Sequence, residues 1–69
     1  MSNRKNGYKV VWNLKGFKSE TKFFQFMSDA QLFHRAISDL SKCKKSNLFF
    51  FSDKSKKWET LESYYNADL

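Results

Sequence analysis

A chain of 69 residues has room for one domain, spanning 1–69, and one small core, because short chains bury a low fraction of their surface on folding. Hydrophobic residues at 41% and aromatics at 19% exclude a disordered chain, and the lone cysteine, Cys43, excludes an internal disulfide, as suits a reducing compartment. The formal net charge of +6 points away from acidic ligands' opposites and toward anionic partners.

That charge is unevenly spread. Residues 1–27 carry six cations and one anion, residues 28–45 four and two, and residues 46–69 three and four. Most of the cations are lysine, with Arg4 and Arg35 the exceptions, so a solubilising surface and an AT-rich coding sequence both bear on the excess. Residues 1–7 are polar, and the longest apolar run, 48–51, is far short of the about 20 residues a membrane span needs. A cytoplasmic protein without a signal peptide or membrane contact is expected.

Residues 8–14 alternate Tyr8, Val10, Trp12 and Leu14 with Lys9, Asn13 and Lys15 beyond, which predicts a half-buried strand. Residues 15–19 form a turn around Gly16. A second strand is expected over 21–27, with Phe24 and Phe26 on one face and Phe23 on the other. At Ser28 and Asp29, either of which can cap a helix, the period changes to three and four residues. Ala30, Phe33, Ile37 and Leu40 form the apolar stripe with Ala36 and Cys43 beside it, giving an amphipathic helix of about four turns at 3.6 residues per turn. Its end carries Lys42, Lys44 and Lys45, where cations favour the carbonyl end of the dipole.

A third strand over 48–52, a turn over 53–57 and a fourth strand over 58–61 complete the order, with 62–65 either extending that strand or starting a short helix. The expected fold is α+β, a small two-layer ββαββ sandwich with one helix on a mainly antiparallel sheet. Residues 1–6 and 67–69 are expected to be mobile. One helix can blanket only one sheet face, yet Phe49, Phe50 and Phe51 put rings on both.

Catalytic constellations are sparse. His34 sits beside Arg35 and reads as a solvated surface histidine, Cys43 as a buried structural thiol, and the acids Asp29, Asp39, Asp53, Glu59, Glu62 and Asp68 are scattered. Gly7 and Gly16 are too far apart for a phosphate loop. No enzyme, metal site or cofactor is expected.

Binding is better supported. The topology puts Lys15 and Lys18 at one end of the molecule with Lys42, Lys44 and Lys45, and Lys54, Lys56 and Lys57 at the other, beside Arg4 and Lys5. Between these ends, Trp12, Phe24, Phe26, Phe49, Phe51 and Trp58 are the candidate aromatic face. Such a surface suits a nucleic acid strand, bases on rings and phosphates on lysines. The plainer reading has the lysines guarding sheet edges against aggregation and the rings filling a small core. The alternative function is a protein-binding adaptor or inhibitor whose aromatic face docks on a host factor or on a second copy in a homodimer.

The strand, turn, strand and Ser/Asp-capped helix expected over residues 8–40 is similar in layout to the arm-binding domains of tyrosine recombinases. Those grip DNA with a sheet and carry a third strand before the helix. The small size and lack of catalytic equipment also resemble the accessory proteins of bacterial viruses.

Overall fold

The computed structural model describes residues 7–68. Four strands and one helix follow in the order β1 (Tyr8–Leu14), β2 (Glu20–Phe24), α1 (Met27–Ser38), β3 (Cys43–Ser52) and β4 (Lys57–Tyr65). They form the expected ββαββ α+β sandwich, with a single antiparallel sheet in the order β2-β1-β3-β4. Since β1 runs opposite to both its neighbours, β2 and β3 are parallel with β1 between them, and α1 is the crossover that joins them. Residues 1–6 and 69, where terminal mobility was expected, lie outside the described residues.

Local chemistry explains most of the elements. Alternation makes β1 a strand, and Gly16, at φ 87°, supplies the left-handed residue that lets β1 turn back into β2. The Phe17 amide closes that turn on the Leu14 carbonyl at 2.9 Å. In the β3–β4 turn the left-handed position, φ 60°, is taken instead by Lys56.

Several boundaries differ from the expectation. β2 ends at Phe24 rather than at residue 27, and Phe26 becomes the residue preceding the helix, extended at φ −117° and ψ 141°. Neither Ser28 nor Asp29 is the cap. Asp29 lies in the first turn, where its charge faces the positive end of the helix dipole. The helix is 12 residues long and stops at Ser38, whose hydroxyl donates to the His34 carbonyl at 2.8 Å. Leu40, expected on the packed stripe, therefore lies in the following turn and is 47% exposed.

β3 starts at Cys43, five positions earlier than residue 48, because β1 and β4 both offer it partners. Leu14 lies opposite Cys43, and Tyr64 and Tyr65 lie opposite Ser46 and Lys45. That pairing also settles residues 62–65 as strand, and it places Lys44 and Lys45 on β3 rather than at the helix end, where Arg35 is the basic residue of the last turn. Two bulges interrupt the ladders, one between Asn13 and Leu14, which leaves Lys44 without an opposite residue, and one between Leu48 and Phe49, which does the same for Leu61.

The helix covers one face. Val10, Ala30 and Leu48 are wholly buried there, with Tyr8, Trp12, Phe24 and Phe33 packed against them. Phe33 meets Trp12 edge-on at a centroid distance of 5.0 Å and Phe24 at 5.3 Å. So small a core leaves the domain dependent on each of these rings. Among the described residues no helix is long and apolar enough to cross a membrane.

Candidate nucleic-acid interface

Residues directly opposite one another in an antiparallel ladder project to the same side, so the pairings assign the paired strand side chains to a face. Tyr8, Val10 and Trp12 point to the helix, and with them Phe24, Lys22 and Glu20 of β2, Phe50, Leu48 and Ser46 of β3, and Glu59, Glu62 and Tyr64 of β4. The face without a helix receives Lys9, Val11 and Asn13; Thr21 and Phe23; Lys45, Asn47, Phe49 and Phe51; and Trp58, Thr60, Ser63 and Tyr65.

Two properties of this open face stand out. It holds five aromatic rings, and all three strand carboxylates, Glu20, Glu59 and Glu62, fall on the opposite side. Among the paired strand residues, its charges are those of Lys9 and Lys45.

The rings are not spread evenly. Phe51 meets Trp58 edge-on at 5.4 Å, and Phe23 comes within 6.1 Å of the same indole. Phe23 and Trp58 belong to the two edge strands, three strand spacings or about 14 Å apart along a flat sheet. Their side chains must therefore lean over β1 and β3, as a strongly twisted sheet permits. Between them the Lys9 ammonium lies 4.5 Å from the Trp58 ring centroid and 5.4 Å from that of Phe49, within cation–π range. One end of the face is thus an aromatic trough with a cation in it. The other end is polar, with Asn13, Lys45, Asn47, Ser63 and the 65% exposed Tyr65.

Lysines mark both ends of the sheet. The Lys15 amide donates to the Lys42 carbonyl at 2.8 Å, which fastens the β1–β2 turn to the segment entering β3 and brings Lys15, Lys18, Lys42, Lys44 and Lys45 to one end. Lys54 and Lys56 occupy the β3–β4 turn and Lys57 opens β4 at the far end, about 30 Å away along β3. Arg4 and Lys5 lie outside the described residues.

The expected aromatic set does not form one face. Phe49, Phe51 and Trp58 come together and are joined by Phe23, which was not in the set. Trp12 and Phe24 are on the helix side, packed on Phe33, because their phase is that of Val10. Phe26 is outside the sheet altogether, 59% exposed ahead of the helix.

A second polar cluster sits under the helix, and it corrects the reading of His34 as a solvated surface histidine. His34 is buried at 4% exposure. Its Nδ1 is hydrogen-bonded to Ser46 Oγ at 2.7 Å, and its Nε2 lies 3.7 Å from Glu62 Oε1. Glu62 also accepts from Gln31 at 3.1 Å and from Arg35 at 3.3 Å. Burial lowers the His34 pKa from 6.5, with the Glu62 carboxylate pulling it up and Arg35 pushing it down. Serine, histidine and glutamate in a row invite comparison with a hydrolytic triad, but Ser46 has no accessible surface, so its hydroxyl meets no substrate in this arrangement. The trio ties α1 to β3 and β4. Cys43 is wholly buried, as expected, and burial raises its thiol pKa from 9.0.

No protein family, curated protein or solved structure matches the chain.

Proposed function

We propose that this protein is a non-catalytic accessory or regulatory protein of the cytoplasm that binds nucleic acid as a single strand laid across the open face of its sheet. The observation that carries the reading is the sorting of charge and rings between the two faces. Phe23, Phe49, Phe51, Trp58 and Tyr65 share a side with Lys9 and Lys45 and with no strand carboxylate. Every base has a π-face to stack, and every linkage carries an anion, so a face with rings and cations but no acids suits an unpaired strand. A duplex keeps its bases stacked on one another and offers such rings little. The lysines at either end extend the electrostatic path beyond the sheet.

Fluorescence anisotropy with labelled single-stranded DNA, single-stranded RNA and duplex tests this directly. Single strands are expected to bind, with affinity falling by about 0.7 log units per log unit of salt for each phosphate contacted. Trp58→Ala and Phe49→Ala should each weaken binding by about 1–3 kcal/mol, and charge reversal at Lys15, Lys18, Lys44 and Lys45 should weaken it further. Absence of binding to every oligonucleotide at near-physiological salt defeats the proposal.

The second reading, a protein or second copy docked on the same face, is favoured by the exposure of Phe23 at 39% and Tyr65 at 65% on its two margins. A nuclease-resistant partner recovered with the wild type and lost with Trp58→Ser would support it instead.

A further inference from the structure

The position of Lys9 calls for an explanation that solubility does not supply. It lies on β1, an interior strand, in the row Phe23, Lys9, Phe49 and Thr60, at the middle of the sheet rather than at an edge where lysine guards against strand pairing. Its side chain is half-buried, and its ammonium is held over the Trp58 and Phe49 rings. No strand carboxylate shares its face, and no ion pair to it is formed among the described residues. Phe51 and Phe23 meet Trp58 at interplanar angles of 79° and 52°, so neither ring lies parallel on the indole, and the Lys9 ammonium over it occupies a place a stacked base would take.

Resting on the nucleic-acid reading, we infer that Lys9 holds this stacking position in the free protein and gives it up to a base, moving its ammonium to a phosphate of the same strand. An unpaired nucleotide supplies both halves of the exchange, a flat π-system for the indole and an anion for the displaced cation. The four-carbon stem of lysine allows the head group to swing while its methylenes stay on the sheet. Neither half suffices alone. A nucleoside has nowhere to send the ammonium, and inorganic phosphate has nothing to put on the ring, so a nucleotide strand is preferred over either fragment.

The exchange has a distinctive salt signature. Lys9→Thr keeps a residue favoured in strands but removes both the resident cation and one phosphate contact. In anisotropy titrations of a short fluorescein-labelled oligothymidylate, its log affinity against log salt should fall less steeply than the wild type's by about 0.7. The two lines should cross, with the variant weaker in dilute salt and about two- to fivefold tighter in concentrated salt, where the lost cation–π competition outweighs the screened phosphate contact. Lys9→Gln, which keeps a long polar side chain but no charge, should behave alike and stands in if circular dichroism finds Lys9→Thr unfolded.

Proton NMR reads the exchange in the wild type. The Lys9 Cε protons should resonate upfield in the free protein, from the ring currents of Trp58 and Phe49, and return toward ordinary lysine values as oligothymidylate is added. Parallel salt lines, a variant weaker at every salt, or Lys9 protons that remain upfield in the complex would each overturn the inference while leaving nucleic-acid binding intact. A wild type that binds no oligonucleotide would overturn both.

Discussion

His34 Nδ1 and Ser46 Oγ meet at 2.7 Å in a place neither shares with water, which makes the histidine a latch between helix and sheet. The latch works with a neutral ring. Burial lowers the His34 pKa below 6.5, so below that pH the unfolded chain binds a proton that the folded chain resists. Stability contributed by the depressed pKa is therefore complete above 6.5 and declines as pH falls toward the folded value. Glu62 on β4 limits the decline and Arg35 on α1 deepens it; Gln31, also on α1, bonds Glu62 and carries no charge. Thermal melts between neutral and mildly acidic pH should show the wild type losing stability on acidification and His34→Gln showing a flatter profile. An equally steep profile in the variant would place the acid sensitivity elsewhere.

Phe33 joins the helix to β1 and β2 through Trp12 and Phe24. Phe33→Ala should cost about 3 kcal/mol, a large share of the stability of so small a domain. Urea unfolding measures this, and a midpoint close to that of the wild type would mean that the three rings do not act as a unit.

Phe26 sits in the N-cap position with extended geometry and makes no side-chain capping bond. Its ring is 59% exposed, so little burial is lost on replacing it. Phe26→Ser should stabilise the protein by about 1 kcal/mol by capping a free helical N–H, and it should leave oligonucleotide affinity unchanged because residue 26 is off the open face. A drop in affinity would return Phe26 to the binding surface.

Cys43 should resist alkylation at mildly alkaline pH, being wholly buried with its thiol pKa raised. Labelling by a thiol reagent should follow denaturant-induced unfolding. Rapid labelling of the folded protein would show that the start of β3 opens locally.

The strands and helix were legible in the sequence where a single period holds, and were misjudged where two local patterns overlap. β1 and the Gly16 turn follow from alternation and one glycine. Leu40 and Cys43 continue the three- and four-residue spacing past the helix end, which lies at Ser38 with Asp39 as its C-cap. His34 looks solvated in the sequence because its partners, Ser46 and Glu62, are distant in the chain. Its position four residues after Ala30 and one after Phe33 was a sign that it lay on the buried stripe. For the aromatic face, alternation separated Phe50 from Phe49 and Phe51 and Phe24 from Phe23, as the ladders bear out. It could not say that Trp12 and Phe24 share the helix side while Phe23 and Trp58 share the other. That phase between strands is set by register, which the two bulges shift.

The pairing of β1 with β3 has a consequence for how the chain assembles. β1–β2 and β3–β4 are each hairpins of neighbours in sequence, and the β1–β3 ladder, with α1 packed across it, is what unites them. Isolated hairpins are marginal in water, so neither half should persist without the other, and closing the β1–β3 ladder should be the slow event of folding. A chain severed in the turn at 39–42, between α1 and β3, should therefore yield two disordered pieces that recover helix and sheet on mixing. Circular dichroism of the pieces apart and combined would detect this, and it would make the protein a candidate for fragment complementation, in which a signal appears only when two fused partners bring the halves together.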